Sequence, residues 1–98
     1  DLMKCVFLEP HIGVDFQSVI RSLDSRQIRV ELEPHTLEWN VQLETLNDDR
    51  YFFDQERLYL SGRRQGRLIR IGQRLKLKLI RVDVLQRNID FDFEGWLN

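Results

Sequence analysis

Apolar and polar residues alternate with a period of two through much of this chain. In Gln27–Leu32 (QIRVEL), Ile28, Val30 and Leu32 fall on one side and Arg29 and Glu31 on the other. In Arg74–Leu79 (RLKLKL), Leu75, Leu77 and Leu79 alternate with Arg74, Lys76 and Lys78. In Asn88–Phe93 (NIDFDF), Ile89, Phe91 and Phe93 alternate with Asp90 and Asp92. Successive side chains of an extended strand point to opposite faces, so each segment predicts a strand with one buried and one wet face. After Leu79 the apolar phase slips to Ile80, Val82 and Val84, which predicts a β-bulge bending a long strand.

Phe16–Leu23 (FQSVIRSL) reads as a further strand and Leu37–Leu43 (LEWNVQL) as a weaker one. Arg57–Leu60 and Arg67–Ile71 predict a hairpin turned at SGRRQG, and Leu43–Asp49 a short helical turn. Asp24-Ser25 and Val84–Arg87 supply turns, and no window supports a long amphipathic helix. The pattern therefore predicts an all-β chain of about five main strands, an extra short hairpin and little helix. At this size the candidates are a small barrel and an incomplete sandwich. A curved first strand, a bulged fourth strand and a basic outer face favour the five-stranded OB-fold barrel, whose closure removes sheet edges and which commonly binds oligonucleotides.

Ninety-eight residues, 42% hydrophobic and 32% charged, make one ordinary folded domain with a small core. No apolar run approaches the length of a membrane span. Cys5 is the only cysteine, which excludes an internal disulfide framework and fits a reducing, cytoplasmic compartment. A start at Asp1 rather than Met leads us to expect that the chain is a piece of something longer.

Charge changes the picture more. Residues 1–49 hold four basic and ten acidic groups, a net -6; residues 50–98 hold eleven basic and six acidic, a net +5. The formal total of -1 hides a polarised molecule. From Arg57 to Val82 there are nine basic residues and no acidic one. Arg74, Lys76 and Lys78 stand on one face of their strand and can track a phosphate backbone, although a solvated strand face reads the same way. Asp83 and Arg87 flank a turn, where an ion pair would aim the guanidinium at a ligand or simply hold the turn. Tyr51, Phe52 and Phe53 read mainly as core, with Tyr51 the ring placed to stack on a nucleotide. Trp39 offers a stacking face or covers an end of the barrel. Asp48, Asp49 and Asp54 lack metal-ligand spacing and fit turns and caps. His11 and His35 each follow a proline and read as solvent histidines; Cys5 has no activating partner. No catalytic triad, phosphate loop or paired-acid site is present.

The stretch IRVDVLQRNIDFDF (Ile80–Phe93) carries a strand ending in Val-Asp, an Arg four residues after that Asp, then Ile-Asp-Phe. With GRRQGRLIRIGQRLKLKLIRVD before it and LNDDRYFFD upstream, it resembles the C-terminal, S-one-type RNA-binding domain of the RNase II/RNase R (RNB) family. Lys4-Cys5-Val6-Phe7 resembles the lead-in to that domain, which implies a lead-in at 1–12 and an OB-fold domain at 13–98. The resemblance implies a parent that is a processive 3′-to-5′ exoribonuclease. Its Mg²⁺-binding carboxylates would lie upstream, so this fragment holds no cofactor and no catalytic residue.

The first half departs from the family. Where the family usually has Ser-Phe-Gly-x-Phe, whose two aromatics stack on bases, this chain has Arg26 and Arg29 at the aromatic positions and Gln27 at the glycine. Gln42 stands where the usual histidine would be, while Asp83 and Arg87 match. A guanidinium can stack on a base and also meet a phosphate, so cationic contact would replace ring stacking. The implied RNA-binding set is Arg26, Arg29, Gln42, Tyr51, Arg74, Lys76, Lys78, Asp83 and Arg87. The expected partners are single-stranded RNA and upstream domains of the same parent, with no membrane. The alternative is a degenerate OB domain used as a structural or protein-docking surface.

Overall fold

A computed structural model of the chain describes residues 8–33 and 37–97. It contains eight strands: β1 (Asp15–Leu23), β2 (Gln27–Leu32), β3 (Leu37–Gln42), β4 (Tyr51–Asp54), β5 (Tyr59–Gly62), β6 (Leu68–Ile69), β7 (Arg74–Asp83) and β8 (Asn88–Leu97). Among the described residues, two 3-10 turns accompany them, at Glu9–His11 and Leu43–Thr45. All pairings are antiparallel. One sheet runs β3-β2-β1-β7-β8 and a second runs β4-β5-β6.

The architecture is all-β and fits the OB type, with two corrections. The five-stranded sheet is curled but not closed, since β3 and β8 form no ladder among the described residues. Side chains close that seam instead: Trp39 lies against Phe91 with ring centroids 5.7 Å apart, and both pack on the core. The expected short hairpin is a three-stranded sheet, because Tyr51–Asp54 pairs with β5. That strand escaped the alternation rule because all three of its first residues are aromatic. Tyr51 faces in, Phe52 faces out and Phe53 is half-buried.

β2, β8 and the first half of β7 follow their alternation, whereas β1 breaks it at Ser18–Ile20, beside a register shift between Ile20 and Ser22. Ile28, Val30 and Leu32 of β2, Leu75, Leu77 and Leu79 of β7, and Ile89, Phe91 and Phe93 of β8 share one core with Phe16, Ile20 and Leu60. Leu8, within the expected lead-in, is also buried there; Lys4 to Phe7 fall outside the described residues. The β7–β8 ladder shifts register between Leu79 and Arg81, where the phase slip placed a bulge. Burying this apolar surface, at about 25 cal/mol per Å², is the main drive to fold.

A polar clasp joins the two sheets. Asp48 Oδ2 accepts the Tyr51 hydroxyl at 2.8 Å and the Trp96 indole N–H at 2.9 Å. Trp96 also packs on Phe93, its ring centroid 5.0 Å away. Burial and the Asp48 carboxylate hold the Tyr51 hydroxyl well above its ordinary pKa. Trp96→Phe keeps the ring and deletes the donor, so it is expected to cost about 1–2 kcal/mol in urea unfolding.

Candidate nucleic-acid interface

Directly paired residues of neighbouring strands point to the same side of a sheet. On the outer face of β2, Arg29 stands opposite Ser22 of β1 and Asn40 of β3. It lines a shallow concavity with Glu38, Trp39 and Asn40. Arg26 is exposed in the β1–β2 turn, which Asp24 organises by accepting the N–H groups of Arg26 (2.8 Å) and Gln27 (3.0 Å). These two bonds, Arg26's first, hold the Asp24 carboxyl below its ordinary pKa. Gln42 lies opposite Gln27, and its amide donates to the Gln27 side-chain oxygen at 3.1 Å.

On β7 the same outer face carries Arg74, Lys76 and Lys78, opposite Val19, Gln17 and Asp15 of β1. Arg29 and the β7 cations therefore share one face of one sheet, but carboxylates lie among them. Arg74 donates to Glu33 at 3.0 Å and to the side chain of Gln17. Lys78 pairs with Glu94 at 3.9 Å and lies opposite Asp92 as well as Asp15. Arg81 meets Asp90 at 2.7 Å, and Arg21 meets Glu31 at 3.2 Å. Along β7 the absence of acids is thus a property of the sequence and not of the surface. The fold supplies the missing acids from β1, β8 and Glu33, directly after β2. Of the three β7 cations, Lys76 alone has no carboxylate partner among the described residues; it lies opposite Gln17 and Gly95.

Three expectations at individual residues change. Tyr51 is 6% exposed and its hydroxyl is committed to Asp48, so the ring belongs to the core and offers no stacking face; Phe52, 48% exposed, is the outward ring. Asp83 forms no ion pair with Arg87: its carboxylate accepts the Gln86 N–H at 3.1 Å and caps the β7–β8 turn. Arg87 closes that turn at φ 58°, a left-handed conformation that costs a non-glycine residue roughly 1 kcal/mol. His11 is half-buried, edge-on to Phe16 at 6.1 Å, and is not a solvent histidine; His35 falls outside the described residues.

The acids of residues 48–54 serve as clasps and caps. Asp49 accepts the N–H groups of Arg50 (2.7 Å), Arg64 (3.0 and 3.1 Å) and Gln65 (2.8 Å). Asp54 accepts those of Glu56 and Arg57, each at 3.0 Å. No group of three or more His, Cys, Asp or Glu is placed to hold a metal ion among the described residues. No described helix is long and apolar enough to cross a membrane.

No protein-family model matches the chain. Individual proteins do. Ribonuclease R 1 of Lactococcus lactis is 33% identical over 92 residues, covering 94% of this chain and 11% of that protein. Ribonuclease R of Aquifex aeolicus is also 33% identical over 92 residues, covering 94% of the chain and 13% of its own length. The apo form of Mycoplasma genitalium RNase R superposes with a TM-score of 0.78 at 25% identity over 95% of the chain. The chain is homologous to one domain of ribonuclease R. It spans about an eighth of the length of these ribonuclease R relatives. A second structure of the M. genitalium RNase R, in complex with ribose-methylated single-stranded RNA, matches with the same TM-score of 0.78 over 94% of this chain and 14% of that one.

Sequence reading missed the carboxylates that neutralise β7. Asp90 and Asp92 were visible as the polar half of NIDFDF, which a β7–β8 hairpin places beside RLKLKL. Glu33 was not, since it reaches Arg74 from 41 positions away.

Proposed function

We propose that this chain is a single-stranded RNA-binding module, the C-terminal S-one-type domain of a 3′-to-5′ exoribonuclease. The observation that carries the reading is the likeness, over nearly the whole chain, to an RNase R solved with single-stranded RNA. The module holds the RNA backbone through cations and feeds its 3′ end to a catalytic channel supplied by the parent. It has no hydrolytic role of its own, and the parent's Mg²⁺ sits in its catalytic domain. Asp48 Oδ2, both oxygens of Asp49 and Asp54 Oδ1 accept hydroxyl, indole and backbone donors.

Within the five-stranded sheet, the residues assigned to phosphate contact are Arg26, Arg29 and Lys76, with Arg87 at the β7–β8 turn. Arg74 and Lys78 contribute after exchanging a carboxylate for a phosphate. Exposed ion pairs of this kind are worth about 0–1 kcal/mol, so the exchange is inexpensive. Asp83 fixes the turn that carries Arg87, and Gln42 offers a polar edge beside Arg29.

A second reading, a docking surface that has given up RNA, draws on the four ion pairs of the outer face. Fluorescence anisotropy of a labelled single-stranded RNA at several salt concentrations decides between the two. Binding at low salt that weakens steeply with salt is expected. Arg26→Ala/Arg29→Ala should weaken it roughly fivefold and lower the log–log salt slope by about 1.4. Absence of binding at low salt would establish the docking reading.

A further inference from the structure

The nine cations between Arg57 and Val82 part company in the fold. Arg74, Lys76, Lys78 and Arg81 go to β7, where three of the four meet carboxylates. Arg57 precedes β5 and donates to the Tyr59 hydroxyl, Arg63, Arg64 and Arg67 lie in the loop between β5 and β6, Arg70 directly follows β6, and none of these five forms an ion pair among the described residues.

That loop is built, not merely exposed. Asp49 grips the backbone N–H groups of Arg64 and Gln65. The Gly62 N–H donates to the Arg67 carbonyl at 2.8 Å, and the Arg63 N–H to the Arg50 carbonyl at 2.8 Å. The Asp49 carboxylate forms its hydrogen bonds with the loop's backbone, and of the loop's guanidiniums only that of Arg64 feels its charge. The side chains are left charged on a fixed frame.

Register places Phe52, Ser61 and Leu68 on the outer face of this small sheet, and both Phe52 and Leu68 are exposed. The Arg63 guanidinium lies over the Phe52 ring at 5.8 Å, and that of Arg70 over Tyr59 at 5.4 Å. Rings that can stack on bases are thus interleaved with cations that can meet phosphates, the combination that single-strand binding uses.

We propose that the outer face of β4–β6 is a second contact surface for single-stranded RNA, with Arg63, Arg64, Arg67 and Arg70 on phosphates and Phe52 and Tyr59 beneath bases. Unpaired cations call for a polyanion, and an RNA strand supplies both phosphates and flat apolar faces. The inference rests on the RNA-binding reading above and extends the bound strand beyond the five-stranded sheet.

The test is anisotropy with a labelled single-stranded oligonucleotide on the 98-residue chain, beside Arg63→Gln/Arg67→Gln/Arg70→Gln, its Arg→Lys counterpart and Phe52→Ala. The Gln triple is expected to lose tenfold or more in affinity at low salt and about 2 in salt slope, at 0.7 per phosphate. The Lys triple should recover most of the affinity, and Phe52→Ala should weaken binding with the slope unchanged. If the unmodified chain binds and the Gln triple matches it, this surface is not an RNA contact, although the domain still is. If the unmodified chain fails to bind, the RNA reading itself fails. Should the Gln triple lose its melting transition, the single variant Arg67→Gln, expected to lower the slope by about 0.7, takes its place and an unchanged slope overturns the proposal.

Discussion

Replacing Gly62 with alanine is expected to destabilise the chain by about 2 kcal/mol and lower its melting temperature by about 10 °C. A Cβ at this position would sit 2.6 Å from Asp49 Oδ2 and 3.3 Å from Cε1 of Tyr51. Neither neighbour gives way freely. The carboxylate is held by the Arg64 and Gln65 N–H groups, and the tyrosine ring is buried with its hydroxyl on Asp48. Relief of the clash requires expelling Asp49 from the loop, which strands two backbone donors, or shifting β4 from the core. A thermal melt followed by circular dichroism measures the effect, and a melting point within 2 °C of the unsubstituted chain would show that the loop does not depend on Asp49.

The same carboxylate gives a pH signature. The N–H groups of Gln65 and Arg64, in that order, hold the Asp49 carboxyl below its ordinary pKa. A group whose pKa is lower folded than unfolded stabilises the fold above its unfolded value, near 3.9 for aspartate. That contribution is lost as pH falls below about 4 and through the depressed value, because only then does the folded state take up the proton. Asp24 adds to the same window. Stability should therefore fall with acid below about pH 4, and less steeply in Asp49→Asn.

The second large effect is a gain. Glu33→Gln/Glu94→Gln is expected to raise affinity for single-stranded RNA roughly threefold to tenfold at low salt and to steepen the salt slope. The two carboxylates pair with Arg74 and Lys78, and removing them breaks both ion pairs without touching the core, leaving Arg74 its bond to Gln17 and Lys78 opposite Asp15 and Asp92. All four side chains are about 34–41% exposed, so stability should barely change. Anisotropy beside a urea melt separates the two quantities. Unchanged affinity would mean that RNA does not run along β7.

Much of this architecture was legible because period-two patterning is a direct imprint of a half-buried strand. Leu75, Leu77 and Leu79 announced β7, and the slip after Leu79 announced its bulge. The pattern failed at Tyr51–Phe53, where an outward Phe52 between two inward-leaning rings leaves no polar position to mark the period. It also could not show which strands would adjoin. The basic run looked like an electropositive face, yet its β7 half is neutralised by Glu33, Asp90 and Glu94, whose proximity is set by sheet order. The half that stays unpaired belongs to a hairpin that looked incidental, held in place by an aspartate whose role as a cap was foreseeable and whose distant partners, Arg64 and Gln65, were not.

The most direct test is a titration of the isotope-labelled chain with a short single-stranded RNA, followed by amide NMR shifts. The expected result is a connected set of perturbations at Arg26, Arg29, Lys76 and the loop of residues 63–67. Shifts absent at low salt, or confined to residues remote from every unpaired cation, would contradict the account.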